Sequence, residues 1–225
     1  MKCEADAGGD PCTTREHLLH QVHKLADAEL LGVLLAGGRV TTESLRLACE
    51  LLNGWGGLAA LPGTSRAMLR SCGLRDAQAS AVLISGEIAC RLARCRVPDQ
   101  DPLSRPDDLA RFLALRYHQR DQEVMGALFL SARRRLLGDK ELYRGTLHRA
   151  AVEPREVLKE CLLRRARGFV LFHTHPSGDP TPSTEDLEFT QRMAQASRIV
   201  GIAMIDHLVL GATGPWVSLQ EWGIW

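Results

Sequence analysis

From Thr13 to about Arg96, apolar residues recur at helical spacing and are interrupted by glycines. "TTREHLLHQVHKL" opens with hydroxyl residues suited to capping a helix, and "TTESLRLACELLNGWGG" places Thr42 at a cap position with Gly54 just past its apolar pattern. "SRAMLRSCGL" and "RDAQASAVLISGEIACRLARC" predict two further helices joined by a very short turn around Gly73. A small all-α domain is therefore expected over residues 13–96, preceded by a disordered tail at 1–12.

The pattern breaks at "VPDQDPLSRPDD", where proline and aspartate leave little to bury and block helix continuation, so a linker is expected over 97–106. Beyond it, over 107–225, the periodicity is mixed. "EVMGALFLS" and "RRLLGDKELYRG" predict two strands with a turn, and "PREVLKECLLRRARG" a helix begun by Pro154 and ended by Gly168. "FVLFHTH" suits a buried strand, "STEDLEFTQRMAQAS" a helix and "GIAMIDHLVLG" another strand. This half reads as α/β or α+β, a mixed sheet flanked by helices.

Composition narrows the function classes. With 225 residues, 45% of them hydrophobic, the chain can bury one large core or two small ones. Lys and Arg number 28 against 27 Asp and Glu, so no net field draws the protein to nucleic acid or an anionic surface. No apolar run approaches the roughly 18 residues of a membrane span, so no membrane partner is expected. The first twelve residues lack the apolar segment of a signal peptide. The seven cysteines form no C-x-x-C pair, which predicts reduced thiols in a cytoplasmic protein rather than a cysteine zinc ribbon.

Candidate chemistry concentrates in "HTHPSGDPTPSTED", His173 to Asp186. On a strand, His173 and His175 project from the same face and can converge on one ion. A catalytic zinc takes three protein ligands, and the loop offers Asp179 or Asp186 as the third. Asp179 sits in a Gly-Asp-Pro turn that suits a turn former, whereas Asp186 lies in the first turn of the next helix and can aim back at the strand end. Spacing alone leaves a plain alternative open, because Ser183 and Asp186 also fit a capping-box pattern. His17, His20 and His23 lack a carboxylate at ligand spacing, and Asp206 and His207 alternate on a strand as structural hydrogen-bonding groups.

His173-x-His175, then Ser183 and Asp186, reads as the JAMM/MPN metalloprotease signature H-x-H-x7-S-x2-D. "HTHPSGDPTPSTEDLEFT", "IDHLVLG", "QEVMGALFL", "YRGTLHRAAVEPREVLKECL" and "VSLQEWG" together resemble the bacterial RadC family, with Thr174 where its members usually have Asn. The resemblance implies a zinc hydrolase with His173, His175 and Asp186 as ligands. It implies Glu123 as general acid/base, a choice the residues alone leave open among Glu123, Glu141, Glu153 and Glu156. It also implies that Ser183 donates to a developing oxyanion and that the substrate is a peptide or protein, while the residues themselves predict that Pro176, Pro180 and Pro182 stiffen the loop so the ligands need less ordering on binding.

The helical region resembles the RadC N-terminal part through "LADAELLGVLLAGG", with residues 66–96 in the place of a helix-hairpin-helix. Such a hairpin binds DNA phosphate through a Gly-x-Gly turn, but here it reads Gly73-Leu74-Arg75, so the second glycine is missing. The arginine runs at 133–135 and 164–167 are expected to be solvated faces. Two functions thus remain: a zinc metallopeptidase, and a DNA-associated repair or recombination accessory protein with a non-proteolytic metal site.

Overall fold

The computed structural model describes residues 22–117, 122–145, 152–211 and 214–225. It divides into two compact units, Met1–Glu87 and Ile88–Trp225. Of the expected first helix, residues 22–24 form a single 3-10 turn holding an exposed His23; the tail at 1–12, His17 and His20 lie outside the described residues.

In the first unit, α1 (Asp27–Leu35), α2 (Thr42–Trp55), α3 (Arg66–Ser71) and the first half of α4 (Asp76–Arg96) surround a core that includes Leu31, Leu51, Trp55, Leu69, Leu74 and Val82. α2 is capped one residue earlier than its pattern suggests. Thr41 takes an extended backbone, its hydroxyl accepts the Ser44 amide at 3.0 Å, and Ser44 Oγ accepts the Thr41 amide, which leaves Thr42 as the first helical residue. Gly54 stays within the helix, and Gly56, at φ 78°, makes the left-handed stop.

The second unit is built on a five-stranded mixed sheet of order β2-β1-β3-β4-β5. Its strands are β1 (Glu123–Leu130), β2 (Leu136–Gly145), β3 (Gly168–Thr174), β4 (Ala203–Leu210) and β5 (Trp216–Ser218). β3 and β4 run parallel, with α7 (Thr184–Val200) between them in the chain, and the other neighbours pair antiparallel. Period-two alternation along β1 sends Val124, Leu128 and Leu130 to a core shared with Leu109, Leu113 and Tyr117 of α5 (Pro106–Tyr117). Met125, Ala127 and Phe129 face the opposite way, into a core shared with Val157 and Cys161 of α6 (Pro154–Leu163) and Met193 of α7. β3 is covered on both faces, which is why it reads as a nearly unbroken apolar run.

α5 begins at the proline whose ring blocks helix continuation from the N-terminal side. At a first helical position Pro106 loses only an amide that would be unpaired anyway, and Asp107 and Asp108 follow in the first turn. The proline- and aspartate-rich stretch before it is tied down: Val97 and Pro102 are buried, the Leu136 amide donates to Asp99 O at 2.8 Å, and the Asp101 amide to Arg134 O at 3.0 Å. In β1, Gly126 lies opposite Phe172, and a Cβ there would stand 2.3 Å from the Phe172 ring and 2.6 Å from Lys140 O. Glycine at this point lets the strand close over that wholly buried ring.

Candidate metal centre

β3 ends where the chemistry begins. His173, at 0% exposure, is the last but one residue of the strand and shares its face with Phe169 and Leu171. His175 lies one residue beyond the strand, where its amide still donates to Leu210 O at 2.8 Å, and its side chain is 13% exposed. Ser183 then caps α7, which supplies Asp186 from its first turn.

These three side chains converge. The Nε2 atoms of His173 and His175 are 2.9 Å apart, His173 Nε2 lies 3.3 Å from Asp186 Oδ1, and His175 Nε2 lies 3.7 Å from Asp186 Oδ2. Among the described residues they form the one cluster of His, Cys and acidic groups able to hold a metal ion. A tetrahedral ion with bonds of about 2.0–2.1 Å has ligand–ligand edges of about 3.3–3.4 Å, so the spacing suits zinc. The proton inventory agrees at His175: its Nδ1 is 2.7 Å from the Asp179 carbonyl, which can only accept, so Nδ1 holds the proton and Nε2 turns a lone pair inward. Two imidazole nitrogens and a carboxylate are a donor set that could hold a metal ion.

Asp179 is the turn former of the loop, accepting the Thr181 amide at 2.9 Å and the Thr181 hydroxyl at 2.7 Å, and it lies outside the cluster. Gly178 has φ 84°, and its carbonyl oxygen would be 2.3 Å from a Cβ on Gly211. The loop holding His175 therefore rests against the end of β4 at a point with room for hydrogen alone.

Asp186 serves two purposes. Its Oδ2 accepts the Ser183 amide at 2.8 Å and the Ser183 hydroxyl at 2.6 Å, while Ser183 Oγ accepts the Asp186 amide at 3.2 Å. The capping box and the converging carboxylate are thus the same residue, and the Ser183 hydroxyl proton is directed at the carboxylate. Burial works against ionisation of Asp186, but the imidazoles of His173 and His175 facing it, helped by the Ser183 hydroxyl, outweigh it and hold the carboxyl below the usual range. His175 is raised in turn, chiefly by Asp186, with burial opposing and the charge of Glu123 adding a smaller contribution.

Glu123 opens β1 and is half-buried. Val124 pairs with Thr174 and Met125 with His173, so the same register puts Glu123 opposite residue 175. Its face of β1 is that of Met125, which looks toward the metal donors. Thr174 turns the other way: its buried hydroxyl accepts the Val124 amide at 3.1 Å and fixes the backbone beside Glu123. Glu123, Glu141, Glu153 and Glu156 all lie outside the group of His173, His175 and Asp186, and of the four only Glu123 acts on the charge of His175.

A second layer stands behind His173. His207 of β4 places Nε2 2.9 Å from His173 Nδ1, and Thr190 of α7 places its hydroxyl 2.7 Å from His207 Nδ1. His207 is wholly buried, and burial holds its pKa well below the ordinary value. The sequence marks His207 as a structural hydrogen-bonding residue but passes over Thr190, whose signal is its position one helical turn after Asp186. Asp206 faces the opposite way, bonded to Ser218 at 2.9 Å and to the Gln220 amide at 3.2 Å.

Over residues 103–224 the chain matches the family described as RadC-like JAB domain. It is 38% identical over 200 residues to the UPF0758 protein of Desulforudis audaxviator, covering 88% of this chain and 86% of that one. The UPF0758 protein of Chloroflexus aurantiacus is 37% identical over 212 residues, 93% of this chain and 92% of its own. That of Marinobacter nauticus is 38% identical over 212 residues, with 93% and 94% covered.

Proposed function

The chain belongs to the RadC-like JAB domain family, and from that premise we propose that it is a zinc-dependent hydrolase that cleaves a peptide or isopeptide bond. The observation that carries this reading is the convergence of His173 Nε2, His175 Nε2 and Asp186, with the charge of Glu123 near enough to act on His175. Zinc bound there would lower the pKa of a coordinated water to about 7 and polarise a substrate carbonyl.

The protein's own groups do the rest. Glu123 accepts the proton of the attacking water and delivers it to the leaving amine, so that the expelled nitrogen departs neutral. Its carboxylate is suited to that transfer by its place opposite residue 175 at the sheet's end. Ser183 Oγ aids the developing oxyanion only when its proton leaves Asp186 Oδ2, which costs the carboxylate one hydrogen bond and leaves both backbone bonds of the cap in place. The edge at His175, 13% exposed, gives a substrate access, while burial of His173 and Asp186 keeps bulk water from the other donors.

No helix among the described residues is long and apolar enough to cross a membrane. We place the enzyme in the cytoplasm, in keeping with the free thiols of Cys49, Cys72, Cys90, Cys95 and Cys161 among the described residues.

The test is Glu123→Gln in the full chain. The variant should retain zinc and lose about 10²–10⁴-fold in the rate of peptide cleavage. Undiminished turnover in that variant removes Glu123 from the mechanism.

A further inference from the structure

We infer that Thr190 and His207 are positioning residues for the metal centre, a one-way chain of hydrogen bonds that leaves His173 with its Nε2 lone pair facing the ion. The inference rests on the zinc reading and adds to it how this imidazole is held in the state that can bind.

The direction of the chain follows from proton counting. The Asp186 backbone carbonyl can only accept, and it lies 2.6 Å from the Thr190 hydroxyl, so the single hydroxyl proton points at it. Thr190 Oγ1 is then an acceptor toward His207 Nδ1 at 2.7 Å; His207 is 0% exposed and its ring nitrogens meet only this hydroxyl and the His173 imidazole, with no carboxylate to support a second ring proton, so its one proton lies on Nδ1. His207 Nε2 is thereby left with a lone pair, and it must accept from His173 Nδ1 at 2.9 Å. With its proton on Nδ1, His173 has only a lone pair at Nε2, the atom 2.9 Å from His175 Nε2 and 3.3 Å from Asp186 Oδ1.

All three members are sealed from water, with His173, His207 and Thr190 each at 0% exposure. No solvent molecule therefore competes for these bonds. The chain starts at the backbone of one metal donor, Asp186, crosses from α7 to β4, and ends on another, His173 in β3. It couples their placement. A ligand histidine usually gives its second nitrogen to a carboxylate or a backbone carbonyl; here a second histidine takes that place, and a hydroxyl decides which way it faces. Reversing one link reverses all of them, because His207 with its proton on Nε2 would drive the His173 proton onto the metal-facing nitrogen.

Thr190→Val keeps the shape and removes the hydroxyl, and Thr190→Ser restores it. Zinc affinity, measured in the full chain by competition with a chelator, should fall about 10–100-fold in Thr190→Val and stay within about twofold of the parent in Thr190→Ser. Long-range ¹⁵N–¹H correlation of the imidazoles in the zinc-loaded parent should show His207 protonated at Nδ1 and His173 protonated at Nδ1. Unchanged affinity in Thr190→Val, or His207 protonated at Nε2 in the parent, overturns the inference. Should Thr190→Val fail to fold, the parent's tautomers still decide. Failure of the parent to bind zinc at all overturns the underlying metal reading, and is seen before any variant is compared.

Discussion

Two turns in this protein, one at residues 173–186 and one at Gly73–Arg75, spend their polar groups in opposite ways. In the short hairpin between α3 and α4, Arg66, Arg70, Arg75, Asp76 and Gln78 find partners within the unit. The Arg75 amide donates to Gln78 Oε1 at 2.9 Å, Gln78 Nε2 goes on to Leu35 O at 3.1 Å, and Arg66 pairs with Asp76 at 3.0 Å. Arg70 reaches the Leu74 carbonyl at 3.1 Å. At the end of β3, by contrast, the internal bonds are arranged so that three donors remain aimed at one point. Asp179 and Ser183 occupy the outer atoms of His175 and Asp186, and the inner atoms converge. Satisfied polar groups make a structural turn; polar groups oriented by their neighbours toward a shared centre make a site.

The most severe way to break this contrast is Asp186→Asn. It removes the charge opposite two imidazoles while keeping most of the cap, so zinc affinity should drop by at least about 100-fold, with fold stability of the metal-free protein reduced by about 1 kcal/mol. Chelator competition and chemical denaturation read the two effects separately. Ser183→Ala is the complement: it removes the cap hydroxyl, costs about 1 kcal/mol, and should leave zinc bound.

Gly211→Ala acts on the loop instead of the ligands. A Cβ 2.3 Å from Gly178 O must push the His175 loop outward, and zinc affinity should weaken about tenfold with all three donors still present. Full affinity in this variant would show that the loop adjusts freely.

Glu160 offers a charged group spent inside the same unit, bound to Lys140 at 2.6 Å and paired with Arg164. The Lys140 ammonium, opposed by burial and helped by Arg164, holds its pKa below the usual value. A lowered folded pKa means the stabilisation is fully present above the unfolded value of about 4.3 and is lost as pH falls through the folded one. Glu160→Gln should therefore cost about 1–3 kcal/mol at pH 7, and the gap to the parent should close at lower pH. An equal gap at pH 7 and pH 2 would contradict this.

The smallest expected effect is at the hairpin. Because its amide is already taken by Gln78, Arg75→Glu should change retention on duplex DNA less than twofold at any salt concentration. A large, salt-dependent loss would return the hairpin to the list of functional surfaces.

What could be read in advance follows the distance over which each feature is determined. β1, β3, β4 and α7 are written in local apolar patterning, and the grouping of His173, His175 and Asp186 needs only one strand end, one loop and one helix start. Pro106 misleads because a proline that stops one helix also starts the next. Thr41 displaces Thr42 as a cap because the hydroxyl that reaches Ser44 is set by backbone angles, and both threonines fit the pattern. The Thr190 and His207 chain is the least legible, since its members stand 17 and 34 residues apart on three elements and meet only once the sheet is assembled.

Zinc content of the purified full chain beside His175→Ala tests the central claim most directly. About one zinc per chain in the parent, lost in the variant, is the expected result. A parent that holds no zinc even after the metal is supplied, or a variant that retains it in full, would contradict the account.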